Sequence, residues 1–375
     1  MAVNATTFSG KQFAVYLASE TTTGTFNNND ANWHRIDVEG VTLPTFSPVQ
    51  EFEMRSGSGR IAEFGQVFAS TKRVVTEFTL SGRLTQSMWV ALAENVIGDE
   101  FDGGTGTDSV LTLTNSYNGL TFKVGTDPSS ATDFAYLMSV YFEAPTAADS
   151  WSLKSCICTN LSITADMDSA AGRFDYTATF QTQSAPSKGA VTSSDAAAIG
   201  STYVYLSEID ERVLDIMNYD GSTDSAGITP LFKTFNLTID APCQFLGASG
   251  TNAEPEVWAK ALPELGITWG GTVKYDAETD LLIEAFRDAG SATALSYLTL
   301  YMADVPVDGS AATPTNEFFN TASGGSATKF GMWFAKSKLT SCEVTSDDVA
   351  MVNFEAKVLS AASGNSVHLL GGDNV

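Results

Sequence analysis

The chain says nearly the same thing twice. Residues 152–159 read SLKSCICT and residues 338–345 read KLTSCEVT, with Cys156 and Cys342 separated by 186 of the 375 residues. Self-similarity at about half the chain length restricts the fold to two copies of one unit. Other matches have nearly the same separation. VYL at 15–17 returns at 204–206, and TF at 45–46 returns at 234–235, each 189 residues on.

The agreement is clearest in the pattern of faces. Successive side chains of a strand point to opposite sides. In TEFTLSGRL (76–84), Phe78, Leu80, Gly82 and Leu84 therefore share one face, and Glu77, Thr79, Ser81 and Arg83 share the other. GITWGGTVKY (266–275) repeats this 189 residues later, with Ile267, Trp269, Gly271 and Val273 on the first face and Thr268, Gly270, Thr272 and Lys274 on the second. A helix is expected after each strand. Met88, Trp89, Leu92 and Ala93 in QSMWVALAENVIGD, and Leu281, Leu282, Ala285 and Phe286 in DAETDLLIEAFRDAG, are spaced as one apolar helical face. Gly98 and Gly290 stand where C-cap glycines belong, and Asp276 is an expected N-cap.

Each copy finishes with a hairpin. SLKSCICTNLSITAD then RFDYTATFQTQS answers to KLTSCEVTS then VNFEAKVLSA, with Tyr176, Ala178 and Phe180 matching Phe354, Ala356 and Val358 at a shift of 178. Set against 186 before the turn, that places about eight extra turn residues in the first copy, where insertions are tolerated. The expectation is a mainly β (α+β) protein of two tandem sandwich or barrel domains, each with one short flanking helix. The first domain spans 1–185, a Ser/Ala/Gly-rich linker spans 186–200, and the second domain spans 201–375. Hydrophobic residues at 43% suffice for a core in each, and the chain is too long for one ordinary core.

Several function classes fall away. Acidic residues outnumber basic ones 44 to 20, for a net charge of −24, and Lys72-Arg73 is the only adjacent basic pair. That leaves no footprint for tight nucleic-acid binding. The N-terminus lacks the basic and apolar regions of a secretory signal, and no run approaches the roughly 18 apolar residues of a spanning helix, so synthesis in a cytoplasm and no membrane are expected. Cys156 and Cys158 read as two same-face strand residues rather than a metal pair. His34 and His368 have no nucleophile or acid at a catalytic spacing. DEFDGGTGTD (99–108) and NYDGSTDSAG (218–227) are rich in oxygen ligands but lack an EF-hand's spacing and terminal Glu, and GGTGTD lacks the Lys of a phosphate loop. No enzyme and no cofactor are expected.

The order FNLTIDAPCQFLGAS, GITWGGTVKYDAETDLLIEAFRDAGSATALSYLTLYM, KLTSCEVTSDDVAMVNFEAKVLSA resembles the major tail tube proteins of long-tailed bacteriophages. The resemblance covers 231–361 and, through the repeat, 34–183. It rests on an ordered pattern rather than an invariant motif, and this chain departs from single-domain members in being double. It implies a virion protein of the tail, made in the host cytoplasm, whose sheets join neighbours into a closed inner barrel and whose rings stack into a tube for genome ejection. Two domains per chain imply three chains per ring with pseudo-six-fold symmetry. The implied partners are other copies of the chain, the tape measure, terminator and distal tail proteins, and double-stranded DNA passing without specific binding. By alternation, Glu77, Thr79, Ser81, Arg83, Asp175, Thr177, Thr268, Thr272, Lys274, Glu355 and Lys357 are candidates for the lumen or a strand interface. Residues 51–73 and 243–265 are candidate loops to the next ring, carrying Arg55, Arg60, Phe64, Phe68, Phe245 and Trp258, whose aromatics have no obvious strand partner. Two alternatives stay open: a distal tail or terminator protein that forms one ring and stops, and a calcium- or carbohydrate-binding β-sandwich.

Overall fold

The structure is a computed structural model. It describes residues 12–20, 22, 24–27, 33–36, 38–42, 49–52, 67–70, 76–84, 86–97, 108–114, 120–123, 137–170, 172–182, 184, 186–189, 213–219, 224–228, 230–246, 257–260, 266–277, 279–287, 297–303, 330–346, 349–359 and 365–372. The fold is mainly β, as the alternation predicts. Its first half carries β1 (Ala14–Ser19), β2 (His34–Ile36), β3 (Gly40–Val41), β4 (Val49–Phe52), β5 (Val67–Ser70), β6 (Thr76–Arg83), α1 (Gln86–Ile97), β7 (Asp108–Thr114), β8 (Leu120–Lys123), β9 (Met138–Glu143), β10 (Trp151–Asp166), α2 (Met167–Ala170), β11 (Phe174–Thr182) and β12 (Ser187–Lys188). The second half carries β13 (Val213–Tyr219), β14 (Asp224–Ile228), β15 (Phe232–Asp240), β16 (Cys243–Leu246), β17 (Val257–Lys260), β18 (Gly266–Lys274), α3 (Asp280–Arg287), β19 (Tyr297–Ala303), β20 (Phe330–Ser346), β21 (Ala350–Val358) and β22 (Asn365–Gly372).

Strand pairing repeats in space what the sequence repeats in line. In the first half the order is β2, β1, β9, β10, β11, β6, β3, with β12 also on β10. In the second it is β14, β13, β19, β20, β21, β18, β15, with β22 also on β20. Every one of these pairs is antiparallel. The halves then join edge to edge, because β10 pairs with β15 from Asn160 opposite Asp240 to Asp166 opposite Thr234. Two further ladders cross between the halves, β7 on β22 and β8 on β17.

The register corrects the alignment read from the sequence. Leu80 faces Ala178, and Trp269 faces Ala356, so those strands match as expected. Cys158, however, faces Phe180, while the residue facing Val358 is Ser337. Cys342 faces Phe354 and therefore answers to Ile163, which faces Tyr176. The repeated SC dipeptide is thus displaced by seven residues from the structural equivalence. The expected eight-residue excess in the first turn disappears with it. Eight residues separate the facing pair Ala165 and Phe174, and seven separate Val344 and Val352. The first copy spends them on a helical turn, where the Asp166 carboxylate accepts from the Asp168 and Ser169 amides. The second extends its ladder to Ser346 opposite Ala350. Likewise Val41 faces Leu80 and Leu237 faces Trp269, so Val41 answers to Leu237. The TF match is not the equivalence, and residues 45–46 lie outside the described residues.

Burial follows the alternation. Phe78, Leu80, Tyr176, Ala178, Phe180, Leu161, Ile163, Leu237, Ile239, Trp269, Val273, Val352 and Ala356 are buried in one continuous apolar cluster that crosses both halves. Met88, Trp89, Leu92 and Ala93 of α1 enter it as predicted, with α1 packed on β10 and on β22 of the other half. The expectation for α3 fails in part. Leu282 is buried, but Leu281 and Phe286 are each 40% exposed, and α3 packs on β20. Asp276 does cap the entry to α3, accepting from the Thr279 amide at 3.0 Å while the Thr279 hydroxyl accepts from the Asp276 amide at 2.8 Å. Gly98 and Gly290 lie outside the described residues. No described helix is long and apolar enough to cross a membrane.

Candidate functional site: one polar face across both halves

Eight strands lie in a row: β3, β6, β11, β10, β15, β18, β21, β20, four from each half. One face of this row is the core. Alternation then forces the other face to be polar, as in antiparallel sheets with one solvated side. All eleven lumen or interface candidates fall on that face. Ser81 is opposite Thr177, Arg83 opposite Asp175, and Thr79 and Glu77 continue β6 beside Thr179 and Gln181. In the second half Thr268 is opposite Lys357, Thr272 opposite Asn353, and Glu355 and Lys274 continue their strands. Glu77, Thr177, Lys274, Glu355 and Lys357 are exposed, and the other six are half-buried.

Sequence reasoning missed the middle of the face. Asn160, Ser162, Thr164 and Asp166 of β10 stand opposite Asp240, Thr238, Asn236 and Thr234 of β15, and it is these pairs that make two half-faces into one. The alternation in TNLSITAD and TFNLTID carries the same signal as the strands that were read correctly. Short polar side chains tie neighbouring strands. Thr272 donates to Asn353 at 2.6 Å, Gln181 donates to Glu77 at 3.0 Å, and Thr340 donates to Glu355 at 3.3 Å. Arg83 reaches Glu39 at 3.2 Å.

The charge of this face differs from that of the chain. Glu39, Glu77, Asp166, Asp175, Asp240, Glu343 and Glu355 stand against Arg83, Lys274, Lys338 and Lys357, seven negative and four positive, a balance of −3 where the whole chain carries −24. The acidity of the chain is therefore not concentrated here. Hydroxyls and amides dominate, and of the four cations only Lys338 and Lys357 stand opposite each other. Such a surface stays wet and has no cluster of cations that could hold phosphates at several points.

The inter-ring candidates separate. Arg55, Arg60 and Phe64 lie outside the described residues, and Phe68 occupies β5 opposite Glu51 in a hairpin with β4. Phe245 and Trp258 are corrected: they are not unpartnered loop residues but face each other in the hairpin β16–β17, and Trp258 also stands opposite Phe122 of β8. The clusters of oxygen ligands fall mostly at positions outside the described residues, which include 99–107 and 220–223. Among the described residues no three His, Cys, Asp or Glu side chains gather as a metal site.

Among the described residues one carboxylate is deeply buried. The Glu20 carboxylate accepts from the Ser155 amide at 2.5 Å, the Gly24 amide at 2.8 Å and the Ser139 hydroxyl at 3.3 Å. Ser155 takes φ 54 within the bulge of β10 between Leu153 and Cys156. Burial pushes the Glu20 pKa up to about 7, although the three donors and Lys154 oppose it. It clamps the bulge of β10. Comparison with protein-family descriptions finds no match to this chain, and comparison with curated proteins finds no significant relative.

Proposed function

We propose that this protein is a structural virion protein that polymerises into the tail tube of a long-tailed bacteriophage, as stacked rings of three chains with pseudo-six-fold symmetry. The observation that carries this reading is the eight-strand polar face made of two equivalent four-strand parts joined edge to edge. A chain whose two halves already pair through β10 and β15 contains one junction of a ring. Three chains repeating it make six equivalent parts and a barrel of about 24 strands, well above the 16–18 at which barrels already leave an aqueous channel. The hydroxyl-rich face then lines the channel, where duplex DNA slides without being held. Stacking of rings is heterologous and so does not close, which makes a tube. The hairpins β4–β5 and β16–β17 follow the first strand of each part and are the elements that reach the next ring.

Negative-stain electron microscopy of the purified protein across a concentration series tests this. Hollow tubes of uniform diameter are expected. Single rings that never lengthen would favour a distal tail or terminator protein, and monomers stabilised to heat by calcium would favour the binding-module alternative.

A further inference from the structure

The two sides of the chain are unequally finished. On β10 the edge from Asn160 to Asp166 is covered by β15, and Ile163 and Ala165 are buried there. On β20 the equivalent edge has no strand partner among the described residues. Cys342, the counterpart of Ile163, is half-buried, and Val344, the counterpart of Ala165, is 49% exposed. The helices tell the same story. Met88 and Ala93 of α1 are buried under a helix that spans both halves, while Leu281 and Phe286, which hold the corresponding places in α3, stay 40% exposed. At the opposite end of the chain β3 pairs only with β6 among the described residues, and Val38 and Val41 are only partly buried.

We propose that the open side of the second half is the docking surface for the first half of another copy of this chain, which adds β3 to the free edge of β20 in the register that β15 uses on β10. The register follows by equivalence. Leu237 faces Ile163, so Val41 of one copy faces Cys342 of the next, with Thr42 on Ser341 and Gly40 on Glu343. The partner is a second copy because the chain's own junction is the template for it, edge for edge and helix for helix. This rests on the ring reading given above and specifies its interface.

The two junctions are not equal in strength. Inside the chain the ladders of β7 on β22 and β8 on β17 strap the halves together. Both strap strands come from the 40 residues between α1 and β9, and only nine residues separate α3 from β19. The second half thus has no room there for an equivalent strap toward the next chain. Rings therefore come apart between chains, while each chain stays a joined pair.

The test is Val41→Cys in the full chain, with the native Cys342 retained and mild oxidation of assembled protein. Directly facing residues of adjacent strands lie within disulfide reach. Linked species that stop at three chains, with the bond mapped by peptide mass spectrometry to position 41 and Cys342 and lost in Val41→Cys/Cys342→Ser, are expected. A second variant, Val344→Asp, should remain a folded single chain by circular dichroism and mass while losing all assembly. Tubes that form without the 41–342 bond would overturn the interface and leave the tube reading standing. Linkage running past three chains would support the interface and overturn the three-chain ring. No bond and no assembly would overturn both.

Discussion

Ile163 lies directly opposite Leu237, one residue from each half of the chain, and both are fully buried. They sit in the middle of the ladder that makes two repeats into one sheet, with Ser162 opposite Thr238 and Thr164 opposite Asn236 on the polar side. Apolar burial on one side and polar pairing on the other fix this register, since a slip of one residue would exchange the two faces.

Truncating this contact should loosen the whole chain. Leu237→Ala removes buried methyl groups and leaves a cavity, at about 2–5 kcal/mol. Urea unfolding followed by tryptophan fluorescence should show one cooperative transition at a lower midpoint, since the cluster crosses both halves. Two resolved transitions, with only one displaced, would show that the halves are stable independently.

Gly271 sits where β18 is squeezed between β15 and β21. Its φ is 156°, and a Cβ built there would come within 2.0 Å of the Thr234 carbonyl oxygen. Gly271→Ala should therefore cost about 1–3 kcal/mol through strain and overpacking. A thermal midpoint equal to that of the unaltered protein would contradict the close approach of those strands.

Glu20 makes stability depend on pH in a stated direction. Its folded pKa, about 7, lies above the ordinary value of 4.5, so between these values the folded chain holds a proton that the unfolded chain has released. Its contribution is complete below about 4.5 and is lost as pH rises through 7, a loss of up to about 3 kcal/mol. Urea midpoints from pH 4.5 to 8 should fall more steeply for the unaltered chain than for Glu20→Gln. Parallel curves would remove Glu20 as the cause.

The polar face should act on DNA passage rather than on assembly. Replacing Glu77, Asp175 and Glu355 together by lysine turns a balance of −3 into one of +3 and provides phosphates with several cations at once. Tubes should still form, and DNA ejection from virions carrying the variant should slow, more so at low salt. An unchanged ejection rate would place this face away from the channel.

Much of this was legible in the sequence where one strand carried its own alternation. TEFTLSGRL and GITWGGTVKY gave their faces correctly because period-two patterning is local. The joint between the halves was not legible, although β10 and β15 alternate just as plainly, because pairing between distant strands is settled by packing. The SC dipeptide misled for a related reason: identical letters seven residues out of register point to the same faces only by chance, and a bulge on each of β10 and β20 shifts the count. Trp258 and Phe245 read as unpartnered because their strands are four residues long, too short for a pattern to show.

The central claim is that the two halves occupy equivalent places in one ring. Symmetry analysis of rings seen end-on by electron microscopy, with mass measured per ring, tests it directly. Six similar lobes in a ring of three chains are the expected result. Six chains per ring, or three lobes with no six-fold likeness, would contradict it.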